Sequence, residues 1–144
     1  MTSASEKFLS RPRDGGALRI LVVDDDQNTL DILLEALGLF GAEVCCAGSV
    51  GQARTLLAAW HADVLLSDLG MPHEDGFDLI QEVRTRPPDS AARMPAIALT
   101  GHTRAQDRQR ALQAGYDEVL VKPAELDTLL QAIRRVASAD PRSP

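Results

Sequence analysis

Aromatic residues are scarce in this 144-residue chain: Trp60, Tyr116, Phe8, Phe40 and Phe77 are 3% of it, so Leu, Val, Ile and Ala must fill the interior. Basic runs are missing as well. The net charge is −6 and there is no Arg/Lys stripe, which argues against a nucleic-acid surface on this chain. Cysteine is limited to Cys45 and Cys46. Neighbours on a strand point to opposite faces, so the pair reads as two small apolar residues in a reducing compartment rather than as a disulfide. An N-terminal signal core is lacking, and so is any apolar run long enough to cross a bilayer. No membrane contact is expected, and the expected location is the cytoplasm.

What is present fits one globular domain with a modest core, since 44% of residues are hydrophobic and 25% charged. Residues 1–17, rich in Ser, Arg and Gly, read as a flexible tail or linker. From Leu18 to residue 138, short apolar runs alternate with amphipathic helices; 139–144 read as a disordered tail. RILVVD precedes a helix with Leu30, Leu33, Leu34 and Leu37 at three- and four-residue spacings, ending near Gly41. EVCCAG follows, then a helix opened by a capping box of Ser49 and Gln52. DVLLS leads through DLGMPHEDG into a helix from about Phe77 to Thr85, stopped by Pro87-Pro88. PAIALT precedes a polar helix, with Thr103 and Gln106 as a second capping box and Gly115 as its end. EVLV and a last helix with Leu126, Leu129, Leu130 and Ile133 complete five strand–helix pairs. Strict alternation with short connections defines an α/β layer fold with right-handed crossovers.

The runs end on polar residues: ILVV on Asp24-Asp25, VLLS on Asp68, AIAL on Thr100, and VLV on Lys122. In an open parallel sheet the carboxyl ends of the strands share one edge, so these side chains converge. Three carboxylates, a hydroxyl and a lysine suit a hard metal ion and a phosphoryl group. Asp68 can act as a nucleophile toward phosphorus. Asp25 and Asp68 would ligate Mg²⁺, with Asp24 acting through a water and a backbone carbonyl near Gly70 adding an oxygen. Lys122 and Thr100 would meet phosphoryl oxygens. Each feature alone has a plainer reading. Asp24 to Asp26 can cap a helix, a lone strand-end Asp is a turn residue, and Lys122-Pro123 and Thr100-Gly101 are turn signals. Taken together, those readings require every one of these residues to fall on one sheet edge by chance.

With ILVVDD, DVLLSDLGMPHEDGFDLI, PAIALTG and GYDEVLVKP, the sequence resembles the receiver domain of bacterial two-component response regulators over about Leu18 to Ala137. The resemblance implies a doubly wound, flavodoxin-like parallel sheet of five strands in order 2-1-3-4-5 with helices on both faces. It implies Asp68 as phosphoacceptor from a phosphohistidine, Asp24 and Asp25 as holders of Mg²⁺, Thr100 as switch hydroxyl, Lys122 as phosphate contact, and a cis Lys122–Pro123 bond. It implies a signalling module, with a histidine kinase or histidine phosphotransfer protein as donor and a downstream protein as reader; self-association stays open. The wording of the motifs is similar to receivers attached to hybrid histidine kinases, beside which a free-standing regulator remains an alternative.

One departure stands out. Receivers commonly carry Tyr or Phe three residues before the lysine, and here that residue is Val119, with Ala124 where an aromatic often follows Lys-Pro. Tyr116 lies too far upstream to replace it, so output is expected to use loop and helix shifts around Thr100 without ring rotation. Three other classes share part of the pattern. A hydrolase of the haloacid dehalogenase class has an Asp-x-Asp pair, but Asn28 breaks the pattern after it. A flavodoxin-like cofactor binder needs a Ser/Thr/Gly-rich loop where DDDQN stands. A phosphate-independent interaction module would not need the acidic set. His102 is a candidate flank of the phosphoryl site, and His73-Glu74 reads as a loop pair.

Overall fold

A computed structural model describes residues 8–12, 14–71, 75–86, 93–101 and 104–140. The elements alternate as β1 (Arg19–Val23), α1 (Gln27–Leu39), β2 (Glu43–Ala47), α2 (Val50–Ala59), β3 (Val64–Asp68), α3 (Gly76–Arg84), β4 (Ala96–Thr100), α4 (Ala105–Ala114), β5 (Glu118–Val121) and α5 (Leu126–Ser138). All strand pairings are parallel, in the order β2-β1-β3-β4-β5. This is the expected doubly wound sheet.

The apolar runs are strands because both of their faces are covered. Every residue of β3 and β4 is buried, whereas the edge strand β2 reads EVCCA and is largely half-exposed. Alternation along β1 sorts the core into two layers. Leu21 and Val23 pack with Val50, Ala53, Leu79, Ile80 and Ala111 under α2, α3 and α4. Ile20 and Val22 pack with Leu30, Leu37, Leu129 and Ile133 under α1 and α5. Cys45 and Cys46 follow the same rule, one against each layer, and both are free thiols.

Caps set several helix starts. Asp26 caps α1 by accepting from the Asn28 amide at 3.2 Å. Ser49 caps α2 as expected, accepting from the Gln52 amide at 3.1 Å, but the Gln52 side chain reaches back to the Gly48 amide instead of to Ser49. The capping box is therefore half-formed there. A complete one, unforeseen in the sequence, opens α3: Asp75 accepts from Phe77 and Asp78, and Asp78 accepts from Asp75. That helix starts and ends one residue earlier than Phe77 and Thr85. Arg104 precedes α4 without a side-chain cap, and Thr103 lies outside the described residues.

Packing extends upstream of Leu18. Ser10 and Ala17 form an antiparallel bridge, the Leu9 amide donates to the Phe40 carbonyl at 2.8 Å, and Leu9 is 1% exposed. Phe8 packs edge-on against Phe40 with Arg134 over its ring at 4.5 Å. Residues expected in the tail thus clip the end of α1 to α5. Among the described residues no helix is long and apolar enough to cross a membrane.

Candidate functional site

The carboxyl edge of the sheet assembles the polar set. Asp24 and Asp25 follow β1, Asp68 ends β3, Thr100 ends β4 and Lys122 follows β5. Carboxylate oxygens of Asp24, Asp25 and Asp68 lie within 4.8 Å of one another. Asp24 is 1% exposed; its Oδ1 accepts from the Asp26 amide at 2.9 Å and its Oδ2 from Lys122 Nζ at 2.6 Å. Lys122 Nζ also stands 3.3 Å from Asp68 Oδ2, so one ammonium bridges two strand-end acids. Asp68 Oδ1 accepts from the Gly70 amide at 3.2 Å. Thr100 is buried at the end of β4, and its carbonyl accepts from the Lys122 amide at 2.7 Å. The Lys122–Pro123 bond is cis.

The capping role that the Asp24 to Asp26 triplet can play falls to Asp26 alone. Its carboxylate is spent on the Asn28 amide and the Thr29 hydroxyl at 3.2 and 2.9 Å. The Asp-x-Asp spacing of the hydrolase alternative is thereby split, because its second acid is committed to a helix start. Asp25 is exposed and free to face an ion.

Electrostatics at this edge are dominated by the clustered acids. Burial chiefly pushes the Asp68 carboxyl above its usual range; the Gly70 amide and Lys122 oppose this, and the charge on Asp24 adds to it. Burial also works against the charge on Lys122, but Asp24 and Asp68 outweigh it and its pKa ends above the ordinary value. One ammonium against three clustered carboxylates leaves negative charge in excess. All three donors are hard oxygens, which fits Mg²⁺ and its preference for few carboxylates and several waters. Gly70, whose amide donates to Asp68, is itself exposed.

Of the other expected features, Val119 is 8% exposed and packs into the layer under α2, α3 and α4. His73, Glu74 and His102 lie outside the described residues. Sequence reasoning missed the neighbourhood beneath Asp68. Ser67 Oγ donates to the Asp68 carbonyl at 3.1 Å, and the buried Tyr116 hydroxyl donates to the Gly76 carbonyl at 2.7 Å. The available signal was a tyrosine just after the glycine that ends a polar helix; its inward course could not be read from that.

A flavodoxin-like parallel sheet with a lysine-bridged acidic cluster at its carboxyl edge belongs to the class of α/β domains whose sites lie at that edge. The family model described as the response regulator receiver domain matches residues 20–134. A 14.6 kDa protein from the sodA1 3′ region of Leptolyngbya boryana is 41% identical over 122 residues, covering 85% of this chain and 92% of that protein. The sensor histidine kinase RcsC of Escherichia coli is 34% identical over 120 residues, covering 83% of this chain and 12% of the kinase. Among solved structures, the receiver domain of a histidine kinase from Syntrophus aciditrophicus superimposes with a TM-score of 0.79 at 26% identity, over 89% of this chain and 96% of that one. A Burkholderia pseudomallei response regulator, solved with a phosphorylated aspartic acid and a calcium ion, gives 0.72 at 27% identity, over 85% and 69%. The chain belongs to the receiver domain family of two-component systems, a signalling module whose members work with histidine kinases or phosphotransfer proteins.

Proposed function

We propose that this chain accepts a phosphoryl group from a phosphohistidine onto Asp68 and thereby switches a protein-interaction surface. The observation that carries the proposal is the Lys122 bridge, 2.6 Å to Asp24 and 3.3 Å to Asp68, beside a three-carboxylate cluster. In the transfer, an Asp68 oxygen attacks phosphorus, the P–N bond to the donor imidazole breaks, and the electron pair leaves with that nitrogen. Mg²⁺ bound by Asp24, Asp25, Asp68 and the Gly70 carbonyl would offset the charge on the phosphoryl oxygens. Lys122 is held by Asp24 within reach of the same oxygens. The Gly70 amide orients the Asp68 carboxylate, and Thr100 sits on the neighbouring strand end to donate its hydroxyl.

Phosphorylation adds roughly 1.5 to 2 negative charges and three acceptor oxygens to that edge. The Thr100 hydroxyl and Lys122 are the chain's own donors to them, so the segments after β4 and β5 respond first. Val119 offers no ring to rotate, which leaves the loop after Thr100 and helix α4 to carry the change. The phosphorylated Asp and calcium ion of the Burkholderia pseudomallei relative support the same chemistry on a similar fold.

Donor docking has a candidate surface next to the site. Ile32 is 65% exposed on α1, and a cleft of about 380 Å³ between it and Lys122 is lined by Thr29, Leu33, Leu99, Pro123 and Leu129. An apolar patch of this kind beside a reactive carboxylate fits the helical face of a phosphohistidine donor.

The direct test is intact mass after incubation with Mg²⁺ and acetyl phosphate, with Asp68→Asn alongside. One phosphoryl adduct on the wild type and none on the variant is the expected outcome. Absence of the adduct from both would leave a phosphate-independent interaction module.

A further inference from the structure

Val119 on β5 carries no aromatic ring, but a buried ring stands in the turn that precedes that strand. Tyr116 is 3% exposed and stands between α4 and β5. Its backbone is fixed: the Tyr116 amide donates to the Ala111 carbonyl at 3.2 Å, closing the end of α4, and Gly115 before it takes a positive φ of 128°. A side chain at Gly115 would be strained by that φ and would also crowd Arg84, whose Nε donates to the Gly115 carbonyl at 2.9 Å. The turn is thus anchored from both sides, and the ring enters the protein from a rigid base.

The far end of the ring reaches the backbone at the start of α3. Its hydroxyl donates to the Gly76 carbonyl at 2.7 Å, a buried bond spanning 40 residues of sequence. Ser67 Oγ donates to the Asp68 carbonyl at 3.1 Å, and the Gly76 amide donates to the Leu69 carbonyl at 3.2 Å. Gly76 has no room for a side chain. A Cβ there would stand 2.5 Å from the Asp68 carbonyl oxygen, 2.9 Å from the Tyr116 hydroxyl and 3.1 Å from the Leu69 Cα. Asp68, Leu69, Gly76 and Tyr116 therefore meet in one close-packed knot.

We propose that Tyr116 is a positioning residue for phosphotransfer: its hydroxyl holds the Gly76 backbone against the Leu69 carbonyl, next to Asp68 in the chain, and ties the start of α3 mechanically to the end of α4. The inference rests on Asp68 being the phosphoacceptor. Displacement of the Asp68 backbone on phosphorylation would pass through the Gly76–Tyr116 bond to the α4–β5 turn, without a mobile ring on β5. The polar α4, whose Arg110 guanidinium lies 4.0 Å over the Phe77 ring of α3, sits at the receiving end. The bond joins two elements that the sheet alone leaves to pack independently.

The test is Tyr116→Phe, which keeps the ring and deletes only the hydroxyl, measured with acetyl phosphate and Mg²⁺. Val83→Ala, a core truncation in α3 away from the hydroxyl, serves as the control for general loss of stability. The expected result is at least a threefold change in the maximal rate of Asp68 modification or in the lifetime of the acyl phosphate. Half-saturation by acetyl phosphate is expected to stay unchanged, and amide shifts to move at Leu69 to Met71 and along α4. Val83→Ala is expected to lower the melting temperature while leaving rate and lifetime at wild-type values. Wild-type rate, lifetime and amide positions in Tyr116→Phe would overturn the proposal, as would equal kinetic effects in both variants. If Tyr116→Phe does not fold, Tyr116→Met, which likewise lacks the hydroxyl, is read by the same outcomes. A wild type that takes no phosphate marks failure of the functional reading itself; the amide shifts of the unphosphorylated variant then judge the strut on its own.

Discussion

Asp68 is held in a state that costs the free protein stability. Its carboxyl is pushed above the ordinary range mainly by burial, despite Lys122 and the Gly70 amide. A carboxyl with a higher pKa folded than unfolded binds its proton more readily in the folded state. Its contribution is therefore favourable at low pH and is lost as pH rises from near 3.8 through the raised folded value. At neutral pH the ionised side chain is a net burden unless a cation joins it. Asparagine keeps the shape without the charge, so Asp68→Asn without divalent ions should melt higher than wild type at pH 7, by roughly 2–5 °C, the scale of about 1 kcal/mol in a domain of this length. The gap should close on acidification toward pH 4 and shrink when Mg²⁺ is added, since the ion stabilises only the form with all three acids. Melting scans in a chelator across pH check this; a variant that melts lower than wild type at pH 7 would refute it. Lys122 has the opposite sign. Its raised pKa lends stability that is fully present at neutral pH and lost only as pH climbs past the ordinary lysine value.

At the level of elements, the strands were legible because nearly every residue in β1, β3 and β4 is apolar, as a sheet covered on both faces demands. The polar residues that end them were equally legible, because their plainer readings as cap and turn residues do not account for all of them falling on one sheet edge. Tyr116 and the clip formed by residues 8–12 and 14–18 were not. Both depend on contacts far along the chain, Tyr116 with Gly76 and Leu9 with Phe40, and neither has a periodic pattern. The Ser, Arg and Gly around Leu9 resemble a linker in composition, yet one buried leucine and an antiparallel bridge dock the segment. Leu9→Ala empties a site that is 1% exposed, so it should cost about 2–4 kcal/mol in urea unfolding. Acetyl phosphate labelling of Asp68 should be unaffected, because the clip lies at the amino end of the sheet. A loss below about 0.5 kcal/mol, the range of an ordinary surface change, would mean the segment spends most of its time undocked.

For the molecule as a whole, the sheet sorts its work to opposite ends: the clip ties the helices where the strands begin, and the acids, Thr100 and Lys122 gather where they end. Chemistry with a small donor needs only the second end. Transfer from a phosphohistidine protein also needs a surface on which that protein can sit with its imidazole in line with Asp68. Such a surface should be apolar, exposed and within a side chain's reach of Lys122; the exposed Ile32 beside the cleft under Lys122 meets those conditions. On the proposed function, labelling by a small donor and transfer from a protein donor can then be separated by one substitution. Ile32→Glu lies on the solvent side of α1 at 65% exposure, so stability should change by no more than about 0.5 kcal/mol. Labelling by acetyl phosphate should be unchanged, because Lys122 and the acids stay in place. Transfer from a phosphorylated histidine phosphotransfer protein should fall at least tenfold, about 1.4 kcal/mol of lost docking and transition-state binding. Equal loss with both donors would place the defect in the site and not on the surface. Equal retention would move the docking face elsewhere on the carboxyl edge.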